Sequence, residues 1–501
     1  MEPDGWGGHH SLRLGDGMAQ PSGLRYGSPA GRWVLLATVL GSGVAFLDGT
    51  IVNVALPTIG RELSAGFSAL QWVLDGYLLT LGALVLVGGA LGDLYGRRRV
   101  FVLGLVSFGV ASVGCGLAPS AGVLIAARSV QGAAAALLVP GSLAILSSAY
   151  APEDRGRAIG AWSGLAGIAG AAGPFLGGYL VDAESWRWAF LINVPLIAVA
   201  VAVAVRHVPE SHDPGYDGMP ALERLDLPGA LTAAVGLGLL VYPLIEARRL
   251  SGAAMTMLLA AGVACLAGFV LIEARRRHPM LPLSLFRSRA FTVANAITFV
   301  VYGALGGALF LVAIQLQTAL GYSALEAGAA TIPITILLLA FSARVGGLME
   351  RIGARPLLTA GPLLAAAGLA LMVRIEPGAG YVAGVLPGVL VFGLGLTLVV
   401  APITSTALGA VDSTRSGVAS GVNNAVARVA GLLAVALLPL AAGLRDYESA
   451  AFTDGVHRAL LIAAALCAAG GLLALAGLPS AHRSAPCGTV SGVHAPDSVR
   501  V

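Results

Sequence analysis

The sequence contains no lysine, because all 30 basic residues counted among its 501 residues are arginines. It therefore has no Walker A lysine for ATP hydrolysis and no lysine that could form a Schiff base with retinal or pyridoxal. It also lacks a nucleophile elbow, a zinc motif and a phosphate-binding loop. We therefore expect neither enzymatic chemistry nor a cofactor, and any uphill work must draw on an ion gradient.

Cysteine and histidine are also scarce. The four cysteines are far apart and give neither a disulfide framework nor the spacing of a zinc site, so we expect no metal. The eight histidines fall in tails, in loops or at the edge of an apolar run, so we expect no histidine relay across a membrane. The cysteines are Cys115, Cys265, Cys467 and Cys487.

Charge is too sparse for a soluble globule. Only 11% of the residues are charged, 57% are hydrophobic and the mean hydropathy is +0.84. A water-facing surface needs more charge, so the composition predicts a polytopic membrane protein. The pI near 9.0 does not indicate nucleic-acid binding, because the arginines lie in short loops between apolar runs rather than on one basic face.

Long apolar runs dominate what is present. With about twenty apolar residues needed per crossing, the sequence predicts an all-α fold of fourteen transmembrane helices. Twenty arginines lie on the side of the N-terminus and seven on the opposite side, so we expect both termini in the cytoplasm and the protein in the cytoplasmic membrane. The predicted spans are 33–54, 71–91, 100–118, 122–146, 158–180, 186–205, 228–245, 254–272, 291–312, 325–348, 356–373, 380–407, 417–441 and 457–478.

A charged hairpin occurs twice, after the second predicted span and after the tenth. The first copy runs from Gly89 to Arg99 and contains Arg97, and the second runs from Gly346 to Arg355. The offset predicts two related six-helix bundles with two helices inserted between them. The corresponding residues, each pair 257 apart, are Gly89 and Gly346, Asp93 and Glu350, Gly96 and Gly353, and Arg98 and Arg355.

The predicted organisation follows from this repeat. Two related bundles around one interface are the usual design for alternating access. The segments are a disordered cytoplasmic tail (1–32), an N-terminal bundle (33–205), a linker (206–227), the inserted pair (228–272), a second linker (273–290), a C-terminal bundle (291–478) and a cytoplasmic tail (479–501).

Three ionisable residues lie inside spans of the first bundle. Asp48 and Arg128 are each expected about 9 Å from the outer end of their span, and Asp75 about 6 Å, at 1.5 Å per residue. An ionised side chain in hydrocarbon is costly unless it faces a partner or water, so these residues should point inward. Asp48 and Arg128 can form a proton-coupling pair or a static ion pair between helices, and Asp75 can be an accessory acid or a hydrated interfacial group.

These motifs resemble those of the major facilitator superfamily. The first hairpin is similar to its loop 2–3 signature, and the fourteen spans, Leu47 to Pro57 and Arg128 to Gly132 are similar to its drug:proton antiporter branch. The resemblance implies that the hairpins form a cytoplasmic gate between the bundles; a simple topology anchor is the alternative. It also implies that a helix bend at the bundle interface is related to antiport direction. That bend comprises Gly170, Gly173, Pro174, Gly177 and Gly178.

Other polar residues inside spans are candidates for a substrate cavity. Each can instead hydrogen-bond a neighbouring helix. The second bundle lacks the acid and arginine of the first, which favours protons being handled by the first bundle while the second shapes the cavity. The candidates are Asn53, Tyr77, Gln131, Asn193 and Arg428.

The sequence therefore predicts a proton-coupled exporter of amphiphilic, cationic or aromatic small molecules that functions as a monomer. One alternative is a dedicated exporter of a single metabolite. Another is a membrane sensor or scaffold that does not transport, and metabolite uptake is a third. The substrate leaves no local signature in such a sequence.

Overall fold

The computed structural model describes residues 23–212, 226–276, 279–412, 415–444 and 451–479. Within these ranges it is helical, with no β-strand and one isolated bridge between Leu24 and Tyr150. Fourteen helices are long and apolar enough to cross a membrane, as the sequence predicts. They are α1 (Pro29–Glu62), α2 (Phe67–Tyr95), α3 (Arg97–Gly116), α4 (Ala121–Ala149), α5 (Pro152–Ala183), α6 (Trp188–His207), α7 (Leu227–Ile245), α8 (Gly252–Arg275), α9 (Arg289–Ala319), α10 (Ala324–Ile352), α11 (Ala354–Arg374), α12 (Tyr381–Gly409), α13 (Gly417–Ala441) and α14 (Phe452–Gly477).

Serine caps begin several of these helices. The Ser28 hydroxyl accepts a hydrogen bond from the Gly31 amide, and Pro29 occupies the first helical position, where a missing N–H costs nothing. In α10 the side chains of Ser323 and Glu326 form a reciprocal capping box. These short-range signals fix where the spans start.

The helices pack as two bundles. In the first, α1 packs against α4, α5 and α6, and α4 also packs against α2 and α3. In the second, α9 packs against α13 and α14, and α11 packs against α12 and α14. The bundles meet where α13 contacts α2, α10 contacts α5 and α9 contacts α1.

We call the surface where the two bundles meet the seam, and the inserted pair lies outside it. Helix α7 packs against both α2 and α13. Helix α8 is much less covered, and only 6% of its most apolar stretch is buried. The Trp72 indole donates to Glu246 Oε1 at 3.1 Å, which ties α2 to the end of α7. At the other end, Arg276 Nε lies 3.0 Å from Asp226 Oδ1 and joins the two inserted helices.

Several predicted boundaries need correction. Helix α1 already begins at Pro29, inside the predicted tail 1–32, and the Leu24 amide donates to Ala149 O at 2.8 Å. The second linker is shorter than 273–290, because α8 continues to Arg275 and α9 begins at Arg289. Residues 1–22, 213–225 and 480–501 of the predicted tails and first linker lie outside the described residues.

The helices extend beyond the apolar runs from which the depths were predicted. Helix α1 continues to Glu62, so Asp48 lies near the middle of the helix. Helix α2 begins at Phe67, which places Asp75 about 12 Å from that end at 1.5 Å per residue. Apolar runs underestimate helix length because polar residues at the ends extend a helix beyond the hydrocarbon.

The two faces of the molecule differ, and we call the face where α1 begins the inner face. Toward the outer face the bundles are joined: the Phe67 ring stacks on Phe310 with centroids 5.8 Å apart, and Gln317 Nε2 donates to Val54 O at 2.9 Å. Toward the inner face, the inner halves of α5 and α10 are mostly exposed, and a Cβ added at Gly160 or Gly346 would meet no described atom within 4 Å. The hydrogen bonds between the bundles lie in the outer halves of the helices, so we describe this conformation as closed outside and open inside.

Candidate proton-coupling site and gates

An ion pair between α1 and α4 lies inside the first bundle. Arg128 Nη1 is 2.5 Å from Asp48 Oδ2, and the two side chains are 1% and 0% exposed. The Arg128 Nε also donates to Val73 O at 3.1 Å. The guanidinium is centred 4.2 Å from the Tyr77 ring centroid. The buried Arg128 cation is therefore stabilised by the Asp48 charge, the hydrogen bond to Val73 O and the Tyr77 ring.

A hydrogen-bonded shell completes the pair. Gln131 Nε2 donates to Asp48 Oδ1 at 2.9 Å and to Ser112 Oγ at 2.8 Å, while its Oε1 accepts from Arg128 at 2.6 Å. Asn193 Nδ2 donates to Asp48 Oδ1 at 3.0 Å. The network therefore joins α1, α3, α4 and α6, and it holds the carboxylate in one orientation.

Three of the predicted cavity residues belong to this network instead. Gln131 and Asn193 are fully buried and face Asp48, and Tyr77 is 2% exposed with its hydroxyl directed at Ala45 O at 3.4 Å. In this conformation they therefore follow the alternative stated for them, which is hydrogen bonding to neighbouring helices. Ser112 was missed, because a lone serine within an apolar run gives no signal until the helices are packed.

Asp75 is separate from this network. It is completely buried, and neither carboxyl oxygen has a hydrogen-bond partner among the described residues. Gln71, one turn before it, donates to Val435 O of α13 at 2.8 Å, and Gly82, about two turns after it, packs against α13. Asp75 therefore occupies the seam between the bundles.

Arg428 and Asn53 are the two predicted cavity residues that remain half-buried. Arg428 lies near the middle of α13, where its guanidinium carbon is 5.6 Å from the Phe46 ring centroid of α1. A Cβ added at Gly82 of α2 would lie 3.7 Å from the Arg428 Cβ. The residue thus projects from the second bundle toward the first.

Two hairpins are predicted to form the inner gate, and among the described residues only the first of them makes ion pairs. Arg97 Nη2 lies 2.7 Å from Asp93 Oδ1, and the Arg98 amide donates to Glu210 Oε1 at 3.0 Å. Glu210 follows α6 and was not predicted, although it lies in a linker rich in acids. Gly89 packs with 3.6 Å between an added Cβ and Pro140 of α4.

The second hairpin contacts its own bundle. Arg355 Nε donates to Leu475 O of α14 at 3.0 Å, and Glu350 is exposed. No hydrogen bond or ion pair between described residues joins the two hairpins, as expected when the inner face is open. Gly96 and Gly353 have φ values of +105° and +81°, so both turns use a conformation that favours glycine.

The glycine-rich bend of α5 has two faces. Toward α1, an added Cβ would lie 3.2 Å from Phe46 at Gly170 and 3.0 Å from Leu47 O at Gly173, and Gly177 packs equally closely on Ile51. Toward the second bundle, Gly178 meets the backbone of Ala324, and Pro174 O meets Gly328. The bend therefore allows close backbone approach both within a bundle and between bundles.

Sequence analysis did not predict one contact between the bundles on the outer face. Asp182, near the end of α5, accepts hydrogen bonds from the amides of Ala324 at 3.1 Å and Leu325 at 2.8 Å. These amides begin α10, so an acid of one bundle caps a helix of the other. Nothing in the local sequence indicates it, because the cap and the helix are far apart along the chain.

Comparisons with known proteins found a matching family and several similar relatives. A family model described as Major Facilitator Superfamily matches residues 38–435. "Multidrug resistance protein Stp" of Mycobacterium tuberculosis is 37% identical over 85% of this chain and 80% of its own length. "Probable actinorhodin transporter" of Streptomyces coelicolor is 34% identical over 91% of this chain and 81% of its own.

Solved structures show the same fold. The crystal structure of a POT family transporter in complex with 5-aminolevulinic acid matches with a TM-score of 0.67, covering 90% of this chain and 96% of that one. The sequence identity is 13%, so this likeness concerns the fold alone.

Proposed function

The chain belongs to the major facilitator superfamily, and we propose that it exports amphiphilic small molecules in exchange for protons by alternating access. The names of two relatives, one for multidrug resistance and one for transport of actinorhodin, support export. The proposal includes no chemical conversion of the substrate, no cofactor and a monomer as the working unit.

The observation that carries the proposal is the dry ion pair between Asp48 and Arg128. Protonation of Asp48 would remove the negative charge and leave the guanidinium buried without a counter-charge, which costs about 3–5 kcal/mol. A proton on Asp48 therefore disfavours the present packing of α1 against α4. Because α1 also packs against α5 and α9, its movement reaches the interface between the bundles.

The order of events follows from this conflict. In the present conformation the inner face is open and Asp48 is paired, which corresponds to a transporter that has released its proton and can load substrate from the cytoplasm. The pair has no solvent contact here, so protons would reach Asp48 only after the outer halves separate. The proton would then stabilise the rearranged helices until the inner face opens again.

Asp75 serves as an accessory acid in this proposal. An ionised carboxylate without any hydrogen-bond partner costs far more to bury than the neutral acid. Asp75 would therefore be neutral while α2 and α13 are in contact, and the seam would have to loosen before it ionises.

The hairpins would close the inner face in the alternate conformation. The first is already ordered by Asp93, which pairs with Arg97, and by Glu210, whose Oε2 lies 3.6 Å from Arg98 Nε and 3.7 Å from Arg99 Nε. The arginine bias of this face supports a cytoplasmic assignment, with both termini on that side.

A second candidate is a dedicated exporter of one endogenous metabolite. The relative named for actinorhodin transport favours it. The two candidates share the fold and the coupling pair and differ only in how selective the cavity is.

The test uses substrate movement driven by a proton gradient. We expect proteoliposomes containing the wild-type protein to concentrate an aromatic dye against its gradient when a pH gradient is imposed. Asp48→Asn should abolish this uphill step. Asp454→Asn, at an exposed position in the first turn of α14, is the matched control and should transport normally.

A double variant guards against misfolding. Asp48→Asn combined with Arg128→Gln removes both buried charges, so no uncompensated ion remains. We expect it to allow downhill dye movement without response to pH. Uphill transport by either Asp48 variant would refute the proposed coupling.

A further inference from the structure

Arg428 is a charged side chain in the middle of the membrane. It lies about 17–20 Å from either end of α13 at 1.5 Å per residue. That distance is too great for the side chain to reach the interface with water by extending along the helix. A half-buried cation at this depth must face a partner or a polar space.

The partners that the protein supplies are weak. Arg428 Nε donates to Asn424 Oδ1 at 3.3 Å, and the Phe46 ring lies against the guanidinium. Among the described residues no carboxylate is within ion-pair distance of Arg428. A guanidinium has five N–H donors, so most of them remain for another group.

Asp48 and Asp75 are the buried acids of the first bundle, and neither supplies a counter-charge for Arg428. Asp48 is already neutralised by Arg128 inside the first bundle. Asp75 lies on the same seam as Arg428, yet neither of its oxygens contacts any donor. Among the residues that the structure describes, Arg428 is therefore a positive charge between the bundles that has no counter-charge.

Aromatic residues of two further helices lie near this charge. Phe46 comes from α1, and its ring centroid lies 5.6 Å from the guanidinium carbon. Tyr302 of α9 precedes Gly303, where an added Cβ would lie 3.4 Å from Ala430 O of α13. Phe46, Tyr302 and Arg428 all lie near the middles of their helices, at the level where α1, α9 and α13 of the two bundles meet. Both rings are half-buried, so they are available to a ligand.

We infer that Arg428 binds a negatively charged group of the substrate, and that this transporter favours aromatic anions such as carboxylates or sulfonates over aromatic cations. A planar guanidinium can bind such a group through two parallel hydrogen bonds, and the rings would hold the apolar body. This inference rests on the proposed function, and it replaces the expectation of a cationic substrate.

The test compares two probes with one aromatic body. 4-(1-Pyrenyl)butanoate and 4-(1-pyrenyl)butyltrimethylammonium differ in the sign of their charge. Binding is measured on the full chain in nanodiscs, after subtraction of binding to protein-free nanodiscs. We expect the wild-type protein to bind the anion at least about tenfold more tightly than the cation.

Variants assign this preference to one residue. Arg428→Gln should weaken anion binding at least about tenfold, and Arg428→Lys should recover part of the loss because it keeps the charge without the planar fork. Arg344→Gln, at an exposed arginine of α10, should leave binding unchanged. Phe46→Leu should weaken both probes alike.

Two results would overturn the inference: wild-type protein that does not prefer the anion, or Arg428→Gln protein with unchanged anion affinity. If Arg428→Gln does not fold, the comparison of the two probes on wild-type protein still decides. Binding needs no pH gradient, so protein that binds the anion but fails the uphill transport test would refute the exporter and leave the binding site standing.

Discussion

The buried pair of Asp48 and Arg128 illustrates how a charge becomes tolerable inside a membrane bundle. Gln131 donates to the acid and accepts from the arginine, so one amide orients both charges. Asn193 adds a second donor to the acid. Asn193 Oδ1 has no hydrogen-bond partner among the described residues, but both charges of the pair have several, which matters because an unpaired charge at low dielectric is costly.

Removal of the arginine should therefore be far more damaging than removal of an exposed one. Arg128→Met leaves the Asp48 carboxylate buried without its counter-ion, and we expect a loss of about 3–5 kcal/mol in the free energy of unfolding. Arg344→Met removes a solvent-exposed arginine and should change it by no more than about 0.5 kcal/mol. Thermal unfolding of the purified proteins in the same detergent measures the difference, and equal midpoints would contradict this account of the site.

At the scale of elements, α5 connects the two bundles on the outer side. Its glycine face lies on α1, and Gly178 and Asp182 contact the start of α10. Helix starts carry unsatisfied amides and a partial positive charge, which a carboxylate stabilises. This contact is thus a helix cap made across the bundle interface, and it lies outside the core of either bundle.

Loss of this cap should favour the outward-open state. In a cysteine-free background, Ala327→Cys provides a reporter at a position that is 1% exposed. Asp182→Ala removes a cap worth about 1 kcal/mol, so we expect the reporter to react about fivefold faster with an impermeant maleimide. Glu184→Ala, two residues away and exposed, is the control. An unchanged rate in Asp182→Ala would show that the cap does not hold the gate closed.

The two hairpins show how an element repeats when its sequence has drifted. Asp93 is replaced by Glu350 in the second copy, and the ion pair to the following arginine is absent there within the described residues. The glycines persist, and both turns have positive φ. The shared backbone requirement survives because only glycine adopts that conformation without strain.

At the scale of the whole molecule, the inserted pair covers the seam between the bundles. Leu237 and Val241 of α7 pack with Leu432 and Ala436 of α13, beside Leu79 of α2. This contact shields the face of α2 that contains Asp75 from lipid. The inserted helices therefore contact the interface between the bundles without being part of either bundle.

The orientation of the molecule can be tested directly. In the cysteine-free protein, Glu184→Cys lies beyond the outer end of α5 and Glu153→Cys lies in its first inner turn, and both positions are exposed. Arginine retention predicts that the inner face is cytoplasmic. An impermeant maleimide should label Glu184→Cys on intact cells and Glu153→Cys only after permeabilisation. The opposite pattern would reverse the assigned direction of transport.

The predictions from sequence succeeded where the signal is local. Apolar run length defined fourteen spans, and repeated glycines defined the two hairpins. The sequence also indicated that Asp48 and Arg128 should face inward, and the structure joins them. It could not show that Gln131 and Asn193 serve this pair rather than the cavity, because that depends on the rotation of α4 and α6.

The sequence by itself determined that this chain folds in a membrane, how many helices cross it and that those helices contain costly charges. Only the tertiary structure decided which partner each charge has: Arg128 meets an acid, Arg428 does not, and Asp75 is left in a seam. The physical reason is that hydrophobicity and helix capping act over a few neighbouring residues, whereas satisfying a buried charge requires atoms from several helices far apart along the chain.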